Sequence, residues 1–207
     1  MTLKLHGIAA SRTARPLWLL EEYGAPYEHL SQTYTGGATR TPEFLKLNPN
    51  GHIPVLEDDG IVVWESMAIN LYLARKLGAP LAAASPAEEA EVLRWTFWAV
   101  TEVEKEALSV LMHRVAMPAD KRDPALADRA EGALKKPFSV LDAHLANRQF
   151  LCGDRFTVAD VNVASVVAWA AAAKGLMDAH PNLSAWLKRC LDRPAQQKVR
   201  QLAKAGK

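Results

Sequence analysis

Cysteine is scarce in this chain of 207 residues: Cys152 and Cys190 stand 38 positions apart, with no C-x-x-C pair and no histidine at metal spacing beside them. That excludes a disulfide framework and a zinc site, and no metal is expected. Long apolar runs are missing too. The longest, Val158 to Ala173, is interrupted by Asp160, Asn162 and Ser165, and falls short of the roughly 20 residues that span a bilayer. The amino-terminal Met1-Thr2-Leu3-Lys4-Leu5-His6 has no signal-type apolar segment. An excess of one charge is also absent, since 25 Lys and Arg against 23 Asp and Glu leave a net +2. A nucleic-acid partner held by counterion release is therefore not expected. These absences together predict a soluble, cytoplasmic protein without a membrane partner. What is present is a 49% hydrophobic content, enough to build a core and to exclude disorder as the main state.

Composition changes near residue 80. The first 80 residues carry 7 basic and 8 acidic side chains and most of the turn chemistry: Gly36-Gly37, Asn48-Pro49, Asn50-Gly51, Asp59-Gly60 and Gly78-Ala79-Pro80. The remainder carries 18 basic against 15 acidic side chains and reads as long helices with few breakers. The expectation is an α/β domain over 1–80 followed by an all-α domain over 87–207. In the first, strands at Leu3–His6, Tyr27–Gln32, Val55–Glu57 and Ile61–Trp64 alternate with helices at Thr13–Tyr23, Pro42–Leu47 and Ser66–Leu77, the last capped by Ser66. The first two strands, joined through a helix, must be parallel, and the last two form a hairpin. That order suits a thioredoxin-like sandwich, with a ferredoxin-like unit as competitor. Pro54, awkward at the start of a strand, favours the former through a cis Ile53-Pro54 bond.

In the second half, helices are expected at Ala87–Val115, Asp123–Ala146, Val158–Lys174, Leu183–Leu191 and Ala195–Lys204. Leu93, Phe97, Val100, Glu104, Ala107 and Leu111 fall mostly on one face of the first, which is amphipathic. Phe156-Thr157-Val158-Ala159-Asp160-Val161 spells a capping box with a hydrophobic staple. Both polar residues of that box are read as structural.

Four segments carry a family resemblance: Ala10-Ser11-Arg12-Thr13-Ala14-Arg15, Asn48-Pro49-Asn50-Gly51-His52-Ile53-Pro54-Val55-Leu56, Trp64-Glu65-Ser66-Met67-Ala68-Ile69, and the Thr157 to Asp160 cap. In this order and spacing the chain resembles the cytosolic glutathione S-transferases of the serine type, bacterial or phi/theta-like. The resemblance implies a thioredoxin-like domain that binds glutathione as co-substrate, an all-helical domain that lines the site of a small hydrophobic electrophile, and a homodimer. Glutathione offers two carboxylates, an amine, a thiol and two peptide units, so its site needs anion receptors at both ends and a backbone edge. Glu65 and Ser66, opening a helix, suit the γ-glutamyl carboxylate. Val55, after Ile53-Pro54, is expected to offer a free N–H and C=O to the cysteinyl unit as an added strand. Arg40 and His52 are the cations for the glycyl carboxylate, Arg40 preferred because its charge is independent of pH.

Ser11 follows the first strand and precedes a helix, the place where the family's serine classes hold the glutathione sulfur, with Thr13 as the alternative donor. A thiol of pKa about 8.5 must fall by roughly two units, or about 2.7 kcal/mol, to ionise at neutral pH. A hydrogen bond to a charged acceptor contributes about 1.5–3 kcal/mol and a helix end about 0.3–1 more, so no general base is required. No G-x-S-x-G elbow surrounds Ser11, which argues against a hydrolase. The tyrosine classes' position holds His6 and Gly7 here, and no cysteine stands near Ala10. The electrophile is expected between the Ala9–Arg12 loop, with Ala10 and Arg12, and the helical domain, with Trp98, Met112, Val115 and Trp169. Glutathione-dependent peroxidase, dehalogenase or isomerase chemistry is the alternative within enzymes, and a weakly catalytic glutathione-binding interaction module the alternative outside them.

Overall fold

The computed structural model describes residues 3–206. Leu3 and Leu5 are buried while Lys4 faces out, so the alternation read in the sequence becomes β1 (Leu3–His6). Helix α1 (Ala14–Tyr23) buries Leu17, Trp18, Leu19 and Leu20 and ends at Gly24, whose φ of 58° closes the last turn with bonds to the carbonyls of Leu20 and Glu21. Then come β2 (Tyr27–Leu30), α2 (Pro42–Leu47), β3 (Val55–Asp58), β4 (Ile61–Trp64) and α3 (Ser66–Leu77). The sheet order is β2-β1-β3-β4, with β1 parallel to β2 and antiparallel to β3. Asp59 and Gly60, both at positive φ, make the β3–β4 turn, as a two-residue hairpin requires. This is the thioredoxin-like arrangement expected, and Ile53-Pro54 is cis.

Asp58, at the end of β3, accepts from Tyr72 Oη at 2.6 Å and from Lys76 Nζ, both on α3. Burial alone would raise its carboxyl, but these two bonds and the Lys76 charge outweigh that and hold it below the usual carboxylate range. The strand is thereby tied to the helix whose first residue is Ser66.

The last helix, α10 (Pro194–Lys204), belongs with these elements. Arg193 holds both oxygens of Glu22 at 2.7 Å and Lys198 holds Glu21 at 2.7 Å, which fastens α10 to α1. The chain thus forms one compact unit from the residues up to Ala82 together with those from Asp192 on, and a second from Ala83 to Leu191. A simple division at residues 80 and 87 does not capture this return.

In the second unit the helix expected over 87–115 is α4 (Pro86–Trp98), a π-turn at Ala99–Val103, α5 (Glu104–Leu111) and a second π-turn at Met112–Ala116. Its apolar face is not all core: Leu93, Phe97 and Val100 are exposed. Helix α6 (Pro124–Leu145) starts on Asp123, whose carboxylate accepts from the amides of Ala125 and Leu126. Helix α7 (Val158–Val167) stops earlier than expected, passes through a 3-10 turn at Ala168–Ala170, and α8 (Lys174–Asp178) starts afresh before α9 (Pro181–Leu191). The Thr157–Asp160 capping box forms, and its role is wider than its sequence suggests. Fully buried, Asp160 takes the Thr157 amide on Oδ2 and the Leu151 amide and Trp186 Nε1 on Oδ1, each at 2.9 Å, with the Thr157 hydroxyl at 3.1 Å. Burial pushes this carboxyl up, and the four donors oppose that rise.

Asp160→Asn keeps the volume but replaces one oxygen by an NH2 that faces donors. Stability in urea titration is expected to fall by about 2–4 kcal/mol.

Candidate functional site

The site expected in the first unit is built from three loops. The first follows β1. Gly7 has a φ of 127°, and the chain then turns so that the Ser11 amide donates to the Ile8 carbonyl at 3.2 Å and the amides of Ala14 and Arg15 donate to the carbonyls of Ser11 and Arg12. The Ser11 hydroxyl is half-buried, 2.7 Å from the Ile8 carbonyl and 2.9 Å from Thr13 Oγ1, and it accepts from the Thr13 amide at 3.1 Å. Its single proton has two neighbouring acceptors, so it can change partner by a rotation. Thr13 is fully buried. A Cβ on Gly7 would stand 2.1 Å from Thr13 Oγ1 and 3.0 Å from Ile53 Cβ, so Thr13 fills the space that a side chain at 7 would need. Ser11, not Thr13, is the accessible hydroxyl. His6, where the tyrosine classes differ, is buried and bonded to Glu57 at 2.7 Å with its ring edge against Phe44.

The second loop runs from Asn48 to Pro54. Buried Asn48 organises it: Nδ2 donates to the His52 carbonyl at 2.8 Å, and Oδ1 accepts the Asn50 amide at 3.0 Å. Arg40, exposed, donates to the Asn50 carbonyl at 3.1 Å, which places it on the same loop as exposed His52. Gly51 is required there, because its φ is 62° and a Cβ would come within 2.5 Å of Arg40 Nη1.

Val55 does not offer the free backbone edge expected of it. It lies in the ladder between His6 of β1 and Trp64 of β4, so its N–H and C=O serve the sheet. Two residues earlier, Ile53 is outside the ladder, and no described residue hydrogen-bonds its N–H or C=O. The unpaired edge is therefore at Ile53.

The third loop is the β4–α3 junction. Ser66 is not the cap of α3 but its first residue, and Glu65 is the cap, exposed and held at a φ of 71°. Positive φ is costly for a residue with a Cβ, by about 1–3 kcal/mol, and such strain concentrates where ligands bind. Ser66 is buried and accepts from Arg15 Nη1 at 3.1 Å. Arg15 had been legible only as a motif letter. Neither it nor Gly7 nor Asn48 has a periodicity that marks it, because each acts by filling or bridging a space that only the fold creates.

In the second unit, Met112 and exposed Val115 share the second π-turn, and half-buried Trp169 lies in the 3-10 turn after α7. Trp98 faces a different, shallow groove lined with Thr101, Glu102, Lys136, Pro137 and Val140. Ala10 and Arg12 are exposed on the first unit. Cys152 offers no competing thiolate, since burial pushes its thiol up to about 11. Among the described residues there is no cluster able to hold a metal ion and no helix long and apolar enough to cross a membrane.

The profile of the glutathione S-transferase N-terminal domain matches residues 1–75, and that of its C-terminal domain matches residues 106–194. The chain belongs to the cytosolic glutathione S-transferase family. Glutathione S-transferase GstB of Escherichia coli K12 is 34% identical to this transferase over 193 residues, 92% of this chain and 93% of that protein. The theta class glutathione S-transferase of Xanthomonas axonopodis pv. citri, solved with glutathione bound, is 30% identical and superposes with a TM-score of 0.82 over 95% of each chain. Elongation factor 1-gamma of Equus caballus is 30% identical over 173 residues, which are 82% of this chain but 37% of that protein.

Gly7→Ala is expected to cost about 2–4 kcal/mol, from the clash with Thr13 and the positive φ together. Thermal unfolding measures the loss.

Proposed function

We propose that this transferase binds glutathione in its first unit, ionises the thiol through the Ser11 hydroxyl, and adds the thiolate to a small uncharged, apolar electrophile. The observation that carries this reading is the half-buried Ser11 hydroxyl, set ahead of α1 with a proton free to change acceptor. In this assignment the γ-glutamyl carboxylate is received by Ser66 beside Glu65, the cysteinyl peptide pairs with the backbone of Ile53, next to Pro54, and the glycyl carboxylate meets Arg40 and His52. Met112 and Val115 are the proposed apolar contacts of the electrophile, with Ala10 and Arg12 beside Ser11. Ser11 acts as donor to the sulfur and is not itself a nucleophile. Holding both reactants in place supplies much of the remaining rate.

The active species is proposed to be a homodimer. Leu93, Phe97, Val100 and Val140 of the second unit and Ile61, Val62 and Trp64 of the first are exposed in the single chain, and apolar patches of this kind mark association surfaces. The similarity to elongation factor 1-gamma supports a second reading, a glutathione-binding module with little catalysis.

Ser11→Ala is expected to leave glutathione affinity nearly intact while raising the bound thiol's pKa by about 1–2 units. Thiolate absorbance followed against pH measures this. An unchanged titration removes Ser11 from the mechanism, and glutathione binding without conjugation of a nitroaromatic halide favours the module. Phe97→Glu is expected to convert a dimer into monomers in sedimentation equilibrium, whereas a wild-type protein that already sediments as a monomer would refute the dimer.

A further inference from the structure

The loop after β1 closes with Arg15, which the thiol chemistry does not use. It is the second residue of α1, and its side chain is 97% removed from solvent, since only 3% of the residue is exposed. Its Nη1 reaches across to α3 and donates to Ser66 Oγ at 3.1 Å. A guanidinium has donors only, whereas a hydroxyl has one proton and two lone pairs. The bond therefore settles the polarity of Ser66: the oxygen accepts from Arg15, and its proton must be given elsewhere. Among the described residues no acceptor takes that proton. A hydroxyl polarised by a cationic donor on its oxygen is also the stronger donor through its hydrogen. Strained Glu65, immediately before it, turns the chain so that Ser66 enters the helix with its side chain toward α1.

We infer that Arg15 is a positioning residue for glutathione recognition: it fixes the Ser66 hydroxyl as a donor to the ligand's γ-glutamyl carboxylate. This rests on the glutathione reading of the site. Arg15 acts through Ser66, and is not expected to touch either the ligand or the sulfur. A lysine would keep the charge but not the planar, extended fork that spans from α1 to α3.

A double-mutant cycle tests this with four full-length proteins: wild type, Arg15→Lys, Ser66→Ala and the double variant, each titrated calorimetrically with glutathione. Arg15→Lys is expected to weaken binding about 5–10-fold when Ser66 is present and less than about twofold when it is absent. The bound thiol's pKa should not move in any of the four, which a general loosening of the first unit would not preserve. Arg15→Met is carried alongside, so that one variant failing to fold leaves the cycle complete. An equal loss in both Ser66 backgrounds, or a shifted thiol pKa, overturns the positioning role while leaving the glutathione site standing. Absence of glutathione binding by the wild type overturns both.

Discussion

A missing side chain organises the site. At the end of β1, Gly7 leaves a space into which Thr13 Oγ1 projects from α1 and against which Ile53 packs from the opposite loop, 2.1 and 3.0 Å from where a Cβ would stand. Because Thr13 can sit there, α1 begins close to the strand, and the turn between them is compressed into a few residues that hydrogen-bond among themselves. Ser11 is raised on that turn. Because Ile53 can close in as well, its backbone N–H and C=O, which lie outside the ladder, stand beside the same turn. One steric vacancy thus brings a hydroxyl and a free peptide group together, as the proposed binding of a thiol-bearing peptide requires.

The groups around this point are polar and buried, which is costly unless each is hydrogen-bonded. His6, Thr13, Arg15, Asn48 and Ser66 all have less than a tenth of their surface exposed. Each has a bonded partner: Glu57 for His6, Ser11 for Thr13, the His52 carbonyl for Asn48, and one another for Arg15 and Ser66. The layer beneath the site is therefore fixed by directional bonds rather than by apolar packing. It holds loops that would otherwise be the mobile parts of the unit, and it does so without spending the exposed donors and acceptors above it.

The sequence made the architecture legible because its signals are local: alternation at Leu3 and Leu5, the Asp59-Gly60 turn, Pro54, and the Thr157 to Asp160 spelling. The proposed site was read from the motifs that hold Ser11, Arg40, His52, Ile53 and Ser66. What escaped was whatever depends on distance in space. Val55 was expected to present a free edge, yet the strand register encloses it between His6 and Trp64. Asp160 read as a local cap, whereas Trp186 on α9 and Leu151 also converge on it. The terminal helix read as part of the helical domain because its composition is helical, and only the Arg193–Glu22 and Lys198–Glu21 pairs assign it to the first unit. Leu93, Phe97 and Val100 read as part of one face of a helix, and their spacing registers an apolar stripe but not what covers it.

In the proposed mechanism the geometry also alters the energetics of thiol ionisation. A free serine hydroxyl would give its full charged hydrogen bond of about 1.5–3 kcal/mol, but the Ser11 proton already has the Ile8 carbonyl at 2.7 Å. Exchanging one acceptor for the other would normally forfeit about 0.5–1.5 kcal/mol and leave the carbonyl orphaned at further cost. Here it is not orphaned, because the Ser11 amide donates to the same Ile8 oxygen at 3.2 Å. The Thr13 amide meanwhile donates to Ser11 Oγ at 3.1 Å, which draws electron density from the hydroxyl and makes its proton a better donor. The penalty therefore stays at the low end of its range, and the gain moves toward the high end of its own. The first-turn amides of α1 are consumed within the turn and act on the sulfur only as a dipole, worth about 0.3–1 kcal/mol. In that mechanism the balance leaves the hydroxyl as the dominant source of the proposed shift of one to two pKa units, about 1.4–2.7 kcal/mol, and gives a role both to the amide donor behind Ser11 and to the carbonyl that releases it.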